Sequence, residues 1–229
     1  MQEKLQKLAE IMEHLSPHPV FHLGPIPVSS TVVNTWIMMA VLFTGVFLAT
    51  RRLGQLPRGS QHLVELVIEF IWSIAHGLLG KHGRHFLFLV GTLFVFILTL
   101  NLAWFIPGMK PPTIDYSTTA AFGVSTIVLV QLIHIKEKGI GSYVKHWVAP
   151  SPLLAPLNII EEFVKPVSLS LRLFGNMFGE KMVVTILFLL APIFVPVPVM
   201  LLGVLMGLIQ AFVFTLLTTT YLATHLHGH

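Results

Sequence analysis

The chain has 229 residues, of which 54% are hydrophobic and only 10% charged, with a mean hydropathy of +0.81. A soluble domain carries about 25% charged residues, so this composition describes an integral membrane protein. The formal net charge of +4 is spread through loops rather than gathered on one face, which argues against a nucleic-acid partner. The absence of cysteine excludes disulfides, thiolate metal sites and cysteine nucleophiles.

In chain order, Met1 to Pro19 is polar, balanced in charge and helical in pattern. It lacks the basic start, apolar centre and small-residue cleavage site of a signal peptide and reads as a retained amphipathic segment within an outside N-terminal stretch, 1–29. The turn at Pro25 and Pro27 leads into a first span over 30–50, followed by Arg51, Arg52 and Arg58. That basic flank belongs on the cytoplasmic side. Over 60–80 the apolar positions Leu63, Leu66, Val67, Phe70, Ile71 and Ile74 recur at helical spacing with Glu65, Glu69 and His76 between them, the pattern of an amphipathic helix lying at the membrane interface.

A helical hairpin covers 86–135. Its first arm, Phe86 to Ile106, ends at Pro107-Gly108, and a short loop with Lys110 and Asp115 leads to the second arm, Thr118 to Ile135. Lys136, Lys138 and Lys145 follow. With Lys81 and Arg84, eight Lys/Arg fall in two inside loops against Lys110 alone in the outside one, so the positive-inside rule puts the N-terminus outside and the C-terminus in the cytoplasm. From Leu157 to Leu190 the pattern is helical for 34 residues, about 50 Å at 1.5 Å per residue. That is too long for an upright crossing, so the helix is either strongly tilted or close to the membrane plane. A comparable helix from Val199 to Thr224 completes a final hairpin, 157–224. The fold class is all-α: a single polytopic membrane domain with an interfacial helix, a helical hairpin and a last hairpin of two long, tilted or near-horizontal helices.

Arg172 stands in an otherwise uncharged apolar run. An arginine at the centre of a membrane helix costs about 2.5 to 3.5 kcal/mol and cannot escape by deprotonating, because its pKa exceeds about 12. Such residues face protein or a water-filled cavity and mark an ion or substrate path. Positions three, four and seven apart share a helix face, and the face of Arg172 carries Glu161, Lys165, Ser168, Asn176 (or Gly175) and Gly179. Val164, Leu171, Phe178 and Met182 form the opposing apolar stripe. On the last helix Gly203, Gly207 and Gln210 lie together. The bland readings are close helix packing at the glycines, interhelical hydrogen bonding at Asn176 and Gln210, snorkelling of Glu161, Glu162 and Lys165, a solvated turn acid at Asp115 and an interfacial His134. His225, His227 and His229 make a weak metal tract without acidic partners. No phosphate loop, H-E-x-x-H or G-x-S-x-G occurs, and neither a metal nor a cofactor is implied. The layout is that of an ion-transfer path; a transporter using Arg172 to bind an anion and a purely structural scaffold are the rival classes.

The run from Lys165 through Arg172 to Met177, with Ile209-Gln210-Ala211-Phe212 on the last helix, resembles subunit a of the F-type ATP synthase membrane sector. Asn34-Thr35-Trp36, Phe105-Ile106-Pro107-Gly108, Ile135 to Gly139 and the Glu161-Glu162 pair extend the likeness over nearly the whole chain. The resemblance implies a stator subunit, in a bacterial inner membrane, that faces a rotating ring of c subunits, is held by peripheral-stalk b subunits and works within the complete ATP synthase complex among membrane lipid. Arg172 matches the family's essential arginine, which separates two offset half-channels for protons or sodium ions. Glu161, Glu162, Lys165 and Ser168 would line the inside half-channel, and Asn176, Glu180 and Gln210 the outside one, with Asp115 near its mouth. The chain departs from the family's pattern twice. Many members place an acid or histidine nine positions after the arginine, where this chain has Lys181 and puts Glu180 at eight. Some place a histidine seven before the glutamine, where this chain has Gly203.

Overall fold

The computed structural model describes residues 19–23, 26–51, 60–105, 109–148, 153, 155–190 and 196–227. Six helices account for most of them: α1 Ser30–Thr50, α2 Ser60–Leu79, α3 Gly83–Asn101, α4 Tyr116–Val148, α5 Ala155–Leu190 and α6 Pro196–His227. Four stretches are long and apolar enough to cross a membrane, Ser30–Thr50, Val64–Asn101, Tyr116–Gly141 and Val197–Thr224, so the chain is an all-α polytopic membrane protein. The helical pattern read over Met1 to Pro19 falls almost wholly outside the described residues, as does the end of the histidine tail. A short antiparallel ribbon precedes the first helix, β1 Pro19–Leu23 paired with β2 Ile26–Ser29 through Phe21–Val28 and Leu23–Ile26. Pro27 therefore lies within a strand.

The first span agrees with its expected bounds. The first arm of the expected 86–135 hairpin is helical only to Asn101, after which the chain tightens into a 3-10 turn over Leu102–Phe105. The second arm runs on beyond Ile135 and breaks at Gly139, whose φ of 80° belongs to the left-handed region that glycine enters without a Cβ clash. The long helix extends from Ala155 through Pro166 to Leu190 without a break.

Helix α2 lies lengthwise on α3. Gly80, at φ 55°, turns the chain between them; Gly83 lies so close to the Ala75 carbonyl that a Cβ would meet its oxygen at 2.8 Å, and further along Ile71 lies over Gly91. Phe70 and Phe94 pack with ring centroids 5.4 Å apart. The amphipathic face of α2 thus packs along a spanning helix, burying Ile71, Ile74, Ala75 and Leu79.

One core cluster joins five helices. It contains Ile71 and Ala75 from α2, Val90, Phe94 and Ile97 from α3, Ile127 from α4, Leu169 and Leu173 from α5, and Ala211 and Phe214 from α6. Because lipid tails are as apolar as leucine, such helices associate by close packing at small residues rather than by escape from water. Gly123 provides a close approach of this kind, where α4 meets α5 against Ser170 Oγ and the Pro166 carbonyl. Several hydroxyls within the helices are satisfied locally, as when Thr218, Thr219 and Thr220 donate to the carbonyls four residues back. Helix α1 is attached lightly. Only Met38 is buried along it, and Asn34 Nδ2 donates to the Lys110 carbonyl at 3.1 Å.

Candidate ion path along helix α5

Two contacts set the register of the last hairpin. At one end of α5, Lys165 Nζ lies 5.3 Å from the centre of the Tyr221 ring; toward the other, the Glu180 carboxylate lies against Gly203. The helices are therefore antiparallel, and the turn around Arg172 is level with the stretch after Gln210, where Leu173, Ala211 and Phe214 share the core. Polar groups gather on either side of that level.

The inner group is built on Glu162. Lys165 Nζ donates to its Oε1 at 2.7 Å, and Gln131 Nε2 reaches across from α4 to its Oε2. Lys165 is also 3.5 Å from Glu161. The side chains of Lys165 and Glu162 are only 11% and 10% exposed, whereas that of Glu161 is 66% exposed. Three charges share one turn of helix, and the pairing of one acid with the lysine leaves the other facing outward. Ser168 is half-buried on the next turn, and His134, one turn along α4 from Gln131, is buried.

The outer group surrounds Glu180. A cavity of about 240 Å³ is lined by Glu180, Asn101, Gly203, Val204 and Leu201, room for several waters at roughly 30 Å³ each. Glu180 Oε2, Asn101 Oδ1 and, deeper, Gln210 Nε2 are buried without a hydrogen-bond partner among the described residues. Unpaired buried polar atoms are costly, and Glu180 and Asn101 carry two of them in the lining of an otherwise mostly apolar space that is large enough for water to satisfy them. Asn101 Nδ2 donates to the Gly207 carbonyl at 3.1 Å, which draws α3 onto α6 at the cavity wall. Asn101 was not among the candidates from sequence: it ends an apolar span and shares no helix with the other polar residues.

Between the groups stands Arg172. At 1.5 Å per residue it lies about 15 Å along the axis from Glu162 and about 12 Å from Glu180. It is exposed and makes no hydrogen bond or ion pair among the described residues. The face reading needs one correction here. Val164 and Leu171 do not oppose Arg172: both are exposed like it, at 53% and 51%, while Leu169, Leu173, Met177 and Val184 are buried. On a helix of 100° per residue the presumed opposite stripe is only about 80–120° from Arg172, and the buried residues lie on its other flank. Arg172 thus marks the edge between the core-facing side of α5 and an uncovered apolar side.

The same geometry accounts for the spacing of Glu180. Eight residues are two turns plus about 80°, which rotates Glu180 away from the Arg172 face and onto the flank that meets α6, whereas nine residues carry Lys181 to the side opposite the arginine. There Lys181 is half-buried and within electrostatic range of Lys110. Asn176 is half-buried. Asp115 caps α4, its Oδ1 accepting from the Ser117 backbone N–H at 3.0 Å and from the Ser117 hydroxyl at 2.8 Å. This is the ordinary service of an aspartate at a helix start, performed by the loop that brings Tyr116 against Phe174, 5.7 Å between ring centres.

The sequence profile of the ATP synthase A chain family matches residues 32–223. The chain is 63% identical over 95% of its length to ATP synthase subunit a of Moorella thermoacetica, all of which is covered. It is 41% identical over 95% of its length to ATP synthase subunit a of Trichlorobacter lovleyi, covering 94% of that protein. To ATP synthase subunit a 1 of Syntrophotalea carbinolica it is 41% identical over 84% of its length and 83% of the relative's.

Proposed function

The chain belongs to the ATP synthase subunit a family, the stator component of the membrane sector that takes part in ion translocation within the ATP synthase complex, and we propose that it carries ions through two half-channels divided by Arg172. The observation that carries this reading is the division of polar groups along α5, with the Glu161, Glu162 and Lys165 cluster on one side of Arg172 and the Glu180 and Asn101 cavity on the other.

The uncovered apolar side of α5, with Val164, Val167 and Leu171 exposed beside Arg172, suits a ring of c subunits. A ring carboxylate passing Arg172 would be attracted in its ionised form, and a permanent positive charge at low dielectric holds a neighbouring acid ionised until it moves on. Ions would then enter the ring from one half-channel and leave by the other only after rotation. Each elementary charge crossing 100 mV supplies about 2.3 kcal/mol, so several must pass for each ATP. The inner group, with Ser168, would serve the cytoplasmic side, and Glu180, Asn176 and Gln210 the outside, with Asp115 fixing the loop near its mouth. The exposed α1 face, where Phe43 and Phe47 are more than 60% accessible, is available to peripheral-stalk b subunits or lipid. The chain would lie in a bacterial inner membrane, and the excess of basic residues in alternate loops supports an N-terminus outside and a cytoplasmic C-terminus.

The test is Arg172→Ala in membrane vesicles holding the whole complex. ATP-driven ion pumping and ATP synthesis should be abolished while assembly is retained; normal coupled pumping would refute the reading.

A further inference from the structure

The two adjacent acids at the inner end of α5 sit in unlike surroundings. Glu162 is held at both oxygens, Oε1 by Lys165 at 2.7 Å and Oε2 by Gln131 from α4. Glu161 has only the longer, 3.5 Å approach of Lys165 and is largely exposed. We propose that Gln131 is a positioning residue of the inner half-channel: it keeps Glu162 as the fixed partner of Lys165 and so leaves Glu161 as the carboxylate that exchanges ions with the inside solution. This rests on the reading above that the cluster serves the inner half-channel.

Gln131 acts through geometry. Its amide reaches Glu162 from a second helix, and it does so where α4 is pinned to α5 by the Gly123 crossing two turns away. With Oε2 held from α4, the carboxylate cannot rotate off Lys165. Lys165 is in turn steadied from a third helix by the Tyr221 ring. Among the described residues, the charged and titratable groups around this carboxylate are Lys165 and Glu161 on α5, with Tyr221 on α6 against the lysine and His134 buried one turn along α4. Without the Gln131 amide, Glu162 gains rotamer freedom and Lys165 divides its charge between two carboxylates. Glu161 then spends part of its time neutralised by the lysine and is a poorer acceptor for an incoming ion.

The experiment uses the complete ATP synthase in inverted vesicles, with the rate of ATP-driven pumping measured against the coupling-ion concentration at the exposed inside face. Gln131→Met keeps the side-chain length and removes the donor. It should raise the half-saturating ion concentration about fivefold, the worth of one ordinary hydrogen bond, while lowering the maximal rate less than twofold. Glu162→Gln should do the same, and the double variant should add nothing to Glu162→Gln alone, because Gln131 acts only through that carboxylate. An unchanged half-saturation, a fall in maximal rate alone, or additive losses would overturn the proposal. Should Gln131→Met fail to assemble, Gln131→Asn, one methylene too short to reach Glu162, carries the same expectation. Retained coupled pumping by Arg172→Ala would sink the ion-path reading itself, whereas its loss together with unaltered kinetics in Gln131→Met sinks only the role of Gln131.

Discussion

The carboxylate of Glu180 occupies the space that a β-carbon on Gly203 would take. The two residues belong to different helices, 23 positions apart in the sequence, and the acid reaches its cavity only because the glycine has no side chain. What reads as a missing partner for Glu180 is room made for it.

Gly203→Ala should therefore separate stability from function. The group displaced is the end of a flexible side chain, and alanine is favoured over glycine in a helix interior by up to about 1 kcal/mol. The complex should assemble and melt no lower than wild type, while ion pumping falls severalfold as the carboxylate is turned out of the cavity. Wild-type pumping with a lowered melting temperature would contradict this.

At Glu180 itself, the amide variant Glu180→Gln keeps the shape and removes the ionisable group. General acid–base groups contribute roughly 100-fold or more to proton transfer, and a loss of at least tenfold in pumping is expected. A rate close to wild type would take Glu180 out of the path.

For Arg172, a lysine is not an equivalent replacement. A buried lysine can lose its proton and an arginine cannot, so Arg172→Lys should lose coupled synthesis and pumping almost as completely as Arg172→Ala. Passive ion conductance of vesicles stripped of the soluble sector, compared for the two variants, measures how well each charge separates the half-channels. Full coupling in Arg172→Lys would show that charge alone, without its permanence, suffices.

Gly123→Ala should fail for a structural reason. A β-carbon there would collide with Ser170 Oγ and come 2.6 Å from the Pro166 carbonyl oxygen, and backbone cannot yield as a side-chain tip does. Overpacking of this kind costs typically 1–3 kcal/mol, so the variant should show a lower melting temperature and reduced incorporation into the complex. Unchanged thermal stability would mean that α4 and α5 have room to separate at Gly123.

Asn101→Leu removes the only side-chain hydrogen bond found between α3 and α6 among the described residues. The net worth of such a bond is about 0.5–1.5 kcal/mol. Assembly should be mildly weakened, and pumping should fall more than stability does, because a polar group beside Glu180 in the cavity lining is lost with it. Equal losses in both would assign Asn101 to packing alone.

Much of this protein is determined by its sequence alone. Hydrophobic length follows from the thickness of hydrocarbon, and the cost of a permanent charge in it is local, so the first span, the long last hairpin and the anomaly of a charge at Arg172 are legible residue by residue. The motif around Arg172 and Gln210 points to the family for the same reason. Helix faces are less secure when read from spacing. Val164 and Leu171 share the uncovered side with Arg172 because an apolar residue facing a partner or lipid is no different in kind from one facing the core, and periodicity does not say which is which. The meetings between helices belong to the tertiary structure. Glu180 with Gly203 and Gln131 with Glu162 depend on the antiparallel register of α5 with α6 and α4, and Asn101 with the Gly207 carbonyl on that of α3 with α6; these registers are decided by where small residues let backbones approach, as at Gly123, and not by the distance of any of these residues along the chain.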